Sequence, residues 1–201
     1  MTLAWGEIYN VVVRGCWAIF FVVWTAGAVY NLLKGPPTEQ RRLGLSAWVV
    51  GIALIVAARI LVPRAVWAEL TLDAALVRGA GVVLLVLSTL FTVWARLSLG
   101  TMWSSLAVIK HKHQLRTTGP YAITRHPIYT GILGMLLGTM LMSDLGVWVF
   151  YFAVAVVLLT IKASVEERLL LEQFGGTYRD YQHRVAQLIP NPLHLGRERS
   201  T

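Results

Sequence analysis

Long stretches almost free of charge constrain this chain before anything else does. Ile8 to Leu33, Leu43 to Val62 and Ala74 to Leu99 are interrupted only by Arg14, Arg59, Arg78 and Arg96, each toward one end of its stretch. A bilayer core about 30 Å thick needs roughly 20 apolar residues of helix, so each stretch is long enough to cross. Only 14% of the 201 residues are charged and 56% are hydrophobic, where a soluble domain carries about 25% charge. Too little polar surface is left to wrap a water-soluble globule of this size. A cytosolic enzyme, a disordered chain and a disulfide scaffold are thereby excluded. The single cysteine, Cys16, cannot form an internal disulfide. The formal net charge of +8 suits anionic lipid headgroups or nucleic acid, and the hydrophobicity decides for the membrane, with no nucleic-acid partner expected.

Two shorter apolar segments follow a polar stretch, Ile128 to Met142 and Leu145 to Ile161, separated by Ser143-Asp144. They read as a tight helical hairpin. The expected fold is all-α: a polytopic integral membrane protein with about five transmembrane helices, or four plus a re-entrant pair. The first segment carries Glu7, has no basic leader and runs too long for a cleaved signal peptide. Basic residues gather in alternate connections: Lys34, Arg41 and Arg42; then Lys110, Lys112, Arg116 and Arg125; then Lys162, Arg168, Arg179, Arg184, Arg197 and Arg199. Positive charge marks the cytoplasmic side, so the N-terminus is expected outside and the C-terminal tail inside. Trp5, Trp48, Trp67, Trp103 and Trp148 lie near span ends and read as an interfacial aromatic belt. Gly131, Gly134 and Gly138 share a helical face, expected to pack against the fifth span.

Two polar stretches are more than linkers. The connection from Leu99 to Gly131 holds His111, His113 and His126, a Gly119-Pro120-Tyr121 turn and an Arg125-His126-Pro127 run. Proline is pre-set for the first turn of a helix, which puts Arg125 and His126 at a helix N-terminus, a place that attracts anions. The stretch from Glu166 to Pro190 shows Leu169, Leu170, Phe174, Tyr178, Tyr181 and Val185 at helical spacing, interrupted by Gly175-Gly176. It reads as two amphipathic helices on the cytoplasmic membrane surface. Each residue alone has a plainer explanation: interfacial histidines, positive-inside cations, glutamates on a wet helix face. No metal site is expected, since His111 and His113 point to different helix faces and no cysteine cluster supports them.

The order of these motifs goes further. His113-x-Leu115, Gly119-Pro120-Tyr121, Arg125-His126-Pro127-x-Tyr129-x-Gly131, Glu166-Glu167-x-x-Leu170, Phe174-Gly175-x-x-Tyr178-x-x-Tyr181 and Ile189-Pro190 follow one another over residues 94–190. This set resembles the isoprenylcysteine carboxyl methyltransferase family, its prokaryotic relatives and the related phospholipid methyltransferases. The resemblance implies an S-adenosylmethionine-dependent membrane methyltransferase whose cofactor pocket faces the cytoplasm without a Rossmann domain. It divides the chain into N-terminal transmembrane helices, 1–93, and a methyltransferase region, 94–201. His113, Leu115, Gly119, Tyr121, His126, Pro127, Tyr129, Glu166 and Glu167 would bind the cofactor, with Arg125 and Glu167 catalytic.

The chemistry is consistent with that assignment. An acidic pair suits the sulfonium, the ammonium or the ribose hydroxyls of the cofactor. Arg125, His126 and the helix N-terminus suit its carboxylate, and Tyr121 and Tyr129 offer aromatic faces. The implied acceptor is a lipophilic or prenylated molecule, or a membrane lipid, entering from the bilayer. The carboxylate of an isoprenylcysteine or an analogue leads, with phospholipid N-methylation next. A sterol-reductase-like NADPH enzyme and a non-catalytic scaffold are the competing classes.

Overall fold

The computed structural model describes residues 3–34, 38–41, 46–61, 63–72, 74–100, 108–110 and 115–190. Its helices are α1 (Leu3–Lys34), α2 (Ser46–Leu61), α3 (Arg64–Glu69), α4 (Ala75–Leu99), α5 (Pro127–Met142), α6 (Trp148–Phe174) and α7 (Gly176–Arg184), with a 3-10 turn at Gly119–Ala122. Three are long and apolar enough to cross a membrane: Trp5–Lys34 of α1, Ala75–Leu99 and Trp148–Phe174; Pro127–Met142 is a shorter apolar helix. The distribution of side chains agrees with a lipid surround. Leu76 is 87% exposed and Val11 73%, whereas Thr92 and Thr139 are completely buried. So many large apolar side chains facing outward depart from the pattern of a water-soluble protein.

A short antiparallel pair, β1 (Thr38–Arg41) with β2 (Val108–Lys110), stands beside the helices. It joins the α1–α2 connection to the α4–α5 connection, so both lie at one end of the bundle.

Small residues decide how the centre packs. The glycine face of α5 meets α4, not the fifth span as expected. A Cβ on Gly138 would stand 2.7 Å from the Leu85 backbone nitrogen and 2.9 Å from the Gly81 carbonyl. Gly131 and Gly134 meet Thr92 and Ser88 in the same way. The reason is reciprocal: α4 presents Gly81, Ser88 and Thr92 along one stripe, so the two backbones approach closely. The buried hydroxyls satisfy themselves, Thr92 donating to the Ser88 carbonyl at 2.6 Å and Thr139 to Met135 at 2.8 Å. Helix α1 closes this pair with Cys16 and Phe20 packed on Leu85, Met135 and Met142. Two polar contacts tie it to α5: Tyr9 Oη with Ser143 Oγ at 3.0 Å, and Trp17 Nε1 donating to Thr139 Oγ1 at 3.2 Å. Helix α6 lies on the other side, with Leu159 and Ala163 against Ile128 and Tyr129.

The α5–α6 turn is tight, with Asp144 and Leu145 at φ 58° and 66° and Gly146 at 53°. Asp144 is held by Arg78 of α4 through two hydrogen bonds of 2.7 and 2.9 Å.

The C-terminal region differs from the expected pair of surface helices. Helix α6 continues without a break through Glu166-Glu167, because Lys162-Ala163-Ser164-Val165 contains no glycine or proline to stop it. Its 27 residues span about 40 Å, longer than a hydrocarbon core of about 30 Å. Gly175, at φ 53°, then turns the chain into α7. That helix buries Tyr178 and Tyr181 inside the protein.

At Gly138 the obstacle is backbone, which cannot swing aside. Gly138→Val is expected to lower the unfolding temperature in detergent clearly, by overpacking worth about 1–3 kcal/mol. Gly79→Ala, with nothing within 4 Å of the added Cβ, should leave it unchanged or raise it. Equal melting of the two variants would refute the close α4–α5 approach.

Candidate active site

Where α5 begins, the buried His126, Lys162 and Glu167 come together. His126 precedes α5, and Pro127 takes the first helical position, where its missing N–H costs nothing. Helix α6, running past, brings Glu166 and Glu167 to this end. Helix α7, turned back by Gly175, brings Gln182 and the segment after it.

Glu167 is the centre of the cluster. Its Oε1 accepts from Arg125 Nε at 2.8 Å and lies 3.1 Å from His126 Nε2. Its Oε2 accepts from Arg125 Nη2 at 3.2 Å and from Gln182 Nε2 at 2.8 Å. Arg125 Nη1 donates in addition to the carbonyls of Gln182 and Val185. Glu166 accepts the Tyr129 hydroxyl on Oε1 at 2.5 Å, and its Oε2 lies 3.6 Å from His126 Nδ1. The Tyr129 and His126 rings stack, 5.4 Å apart and 3° from parallel. The Lys162 ammonium stands 5.3 Å from the centre of the same tyrosine ring.

The segment after α7 seals the cluster. The backbone N–H groups of Arg125 and His126 donate to the carbonyls of Ala186 and Gln187, at 2.8 and 3.1 Å. The Thr130 hydroxyl donates to the Leu188 carbonyl. Tyr181 donates to the Tyr121 carbonyl, holding the Gly119–Ala122 turn against α7. Tyr178 is completely buried, and its hydroxyl has no hydrogen-bond partner among the described residues.

The electrostatics follow from this crowding. His126 is subject first to burial, which pushes its pKa down, but hydrogen bonds to Glu166 and Glu167 and their charges outweigh it. The net direction is upward. Burial, more than any neighbouring charge, pushes the hydroxyls of Tyr121, Tyr178 and Tyr181 up. All three therefore remain protonated donors at any physiological pH.

Arg125, His126, Tyr129, Glu166 and Glu167 are thus brought together, and Pro127 is buried beside them. Tyr121 is buried nearby, close enough for Glu166 to influence its hydroxyl. Leu115 is half-buried, and Gly119 is exposed at φ 63°. His113 lies outside the described residues.

Two expectations change. Arg125 is expected to receive an anion, and four of its five N–H donors are already committed to Glu167 and two carbonyls, while the N–H groups just ahead of α5 are taken by the chain itself. Tyr129 was expected to offer an open aromatic face, yet His126 and Lys162 already attend its ring. Sequence reasoning missed Lys162 and Gln182 as members of the cluster. Lys162 had a signal, a buried cation four residues before Glu166 in an apolar helix. Gln182 had none, because only the Gly175 turn brings it back.

Comparison with known proteins shows what this chain is similar to. The family model for phospholipid methyltransferase matches residues 76–177. Protein-S-isoprenylcysteine O-methyltransferase B of Arabidopsis thaliana is 31% identical over 113 residues, covering 55% of this chain and 57% of the relative. Methanethiol S-methyltransferase of Pseudomonas deceptionensis is 40% identical over 76 residues, covering 38% of this chain and 28% of the relative. The solved structure of the eukaryotic intramembrane Ras methyltransferase, an isoprenylcysteine carboxyl methyltransferase, superposes with a TM-score of 0.51 at 24% identity. That match covers 72% of this chain and 51% of the other, and shows a shared fold. The chain therefore spans little more than half the length of the Arabidopsis relative, and less of the bacterial one.

A pH dependence follows from His126. Its pKa is raised by folding, so the stabilisation it gives is complete below about 6.5, the unperturbed value, and is lost as pH rises through the folded value. The unfolding temperature in detergent should fall as pH is raised from about 6.5, and His126→Gln should flatten that part of the profile. An unchanged slope in the variant would show that His126 is not the titrating group.

Proposed function

The chain belongs to the phospholipid methyltransferase family, and from that premise we propose that it transfers a methyl group from S-adenosylmethionine to the carboxylate of an isoprenylcysteine or a similar lipophilic acid. The observation that carries the reading is one cluster, at the end of an apolar bundle, of two glutamates, an arginine, a histidine and buried tyrosines. The relatives named as isoprenylcysteine O-methyltransferases support the acceptor class.

The residues present fit the cofactor. Two glutamates and a ring of buried tyrosines lie together at the start of α5. Glu166 is the less committed glutamate, suited to a sulfonium, an ammonium or ribose hydroxyls. His113, Leu115, Gly119, Tyr121 and Pro127 would line the remainder, as the family motifs imply. When bound, S-adenosylmethionine supplies an electrophilic methyl: the acceptor oxygen's lone pair forms the new O–C bond while the S–C bond breaks and its electrons stay on sulfur.

The protein's own work is positioning and drying. Glu167, with both oxygens saturated, has no capacity left to act as a base. It serves with Arg125 as a positioning pair that locks α6 to α7 and to the start of α5. A carboxylate acceptor arrives ionised and needs no base. It needs alignment and removal of water, which a membrane-embedded site supplies. In this reading α2 and α5 complete five crossings, residues 94–201 form the methyltransferase region, and the site opens to the cytoplasm with the N-terminus outside.

A thiol acceptor is the second reading, favoured by the methanethiol S-methyltransferase relatives. A thiol must lose a proton, and Glu166 is the group placed to take it.

Purified protein should bind S-adenosylmethionine and transfer labelled methyl to N-acetyl-S-farnesylcysteine as a base-labile ester. Base-stable label in a thiol would favour the second reading, and binding of NADPH in place of S-adenosylmethionine would overturn both. Glu167→Gln removes charge-assisted hydrogen bonds to Arg125 and His126, each worth about 1.5–3 kcal/mol, so it should lower the unfolding temperature in detergent and weaken cofactor binding, and full-strength binding in the variant would refute the positioning role.

A further inference from the structure

Four consecutive carbonyls of the segment after α7 are held by the start of α5. Val185 accepts from the Arg125 side chain, Ala186 and Gln187 accept from the backbone N–H groups of Arg125 and His126, and Leu188 accepts from the Thr130 hydroxyl. Leu188 also packs against the apolar cluster that contains Ile128 and Tyr129, whereas Ile189 is 82% exposed. Among the described residues, Thr130 makes the last polar tie along this segment.

The Thr130 hydroxyl has one proton to give and three oxygens around it. The Leu188 carbonyl is 2.5 Å away, the His126 carbonyl of its own helical turn 3.2 Å, and Thr124 Oγ1 3.3 Å. The two carbonyls can only accept. With the proton on the shortest contact, the completely buried Thr124 is the donor to Thr130, and donation runs from Thr124 through Thr130 to Leu188. The His126 carbonyl is a second acceptor, reached by turning the hydroxyl back onto α5. Thr130 thus has two satisfied arrangements, one with the segment attached and one with it lifted, and lifting leaves no stranded hydroxyl behind.

We propose that Thr130 is a positioning residue that latches residues 185–188 over the charged cluster, and that the opening of this latch sets how fast the cofactor enters and leaves. The latch stands on the contacts above; its part in cofactor exchange rests on the methyl-transfer reading. The segment covers the N–H groups of Arg125 and His126, the same two residues whose side chains hold Glu167. A ligand reaching them from this side passes only when the segment lifts. Thr130 acts through the segment and not on the reacting atoms.

Hydrogen exchange reads the latch without any ligand. Full-length protein in detergent is followed by mass spectrometry on the peptide that contains the Arg125 and His126 amides, with a peptide from the middle of α5 as reference. Thr130→Val keeps the shape and removes the hydroxyl. It should speed exchange of those two amides by about two- to tenfold, the range of one neutral hydrogen bond, and leave the reference unchanged. Thr130→Ser should restore the original rate. Dissociation of labelled S-adenosylmethionine should accelerate by a similar factor in Thr130→Val and return in Thr130→Ser. Unchanged exchange at Arg125 and His126, or equal acceleration in the reference peptide, overturns the latch. Faster amide exchange with unchanged cofactor dissociation reduces Thr130 to a structural tie and overturns its part in cofactor exchange. If the unaltered protein binds no S-adenosylmethionine, the methyl-transfer reading fails and takes the cofactor half of this proposal with it, while the amide rates still decide the latch.

Discussion

A carboxylate at the edge of hydrocarbon must be satisfied by protein, and Glu167 is satisfied at every point. Arg125 meets it with a bidentate fork, and His126 and Gln182 complete the set. Those partners come from the start of α5 and from α7, so one side chain of α6 dictates where three elements meet. An uncompensated charge here would cost several kcal/mol, so the elements are bound to the same point. The remainder of the cluster hangs on that junction: Glu166 reaches Tyr129 because α6 is held at this height, and Tyr181 reaches the Tyr121 carbonyl because α7 is folded back.

The second constraint is steric. With no water to drive helices together, close approach relies on small residues, and α4 and α5 each carry a stripe of them. Gly138 sits against backbone atoms of Leu85 and Gly81. That contact fixes the depth of α5 and so the height of its first turn, where His126 lies. Arg78 and Asp144 hold the opposite end of α5. The short helix is thus gripped at both ends, which suits a helix that presents a site rather than one that only spans.

Much of the fold was legible. The apolar stretches and the Pro127 helix start came through because hydrocarbon length and proline geometry are local properties. Helix α6 was misread at Ile161, where hydropathy falls although helix propensity does not. The partner of the Gly131–Gly138 face was misread because a small-residue stripe announces close packing without saying against which helix. In the site, His126, Tyr129, Glu166 and Glu167 were legible as ordered motifs. The commitment of Arg125 was not, because its partners Gln182 and Val185 lie far along the chain and meet it only after the Gly175 turn.

The sequence by itself determined a charge-poor helical chain for a membrane, with a polar cluster rich in histidine, arginine, tyrosine and glutamate, because charge count and hydropathic length need no knowledge of contacts. Tertiary structure alone decided which glutamate is saturated and which retains capacity, and that the chain's own C-terminal segment covers the N–H groups ahead of α5. Those outcomes depend on distances of 2.5–3.6 Å between side chains tens of residues apart, from Tyr129 with Glu166 to His126 with Glu166, and no local pattern in a chain encodes such distances.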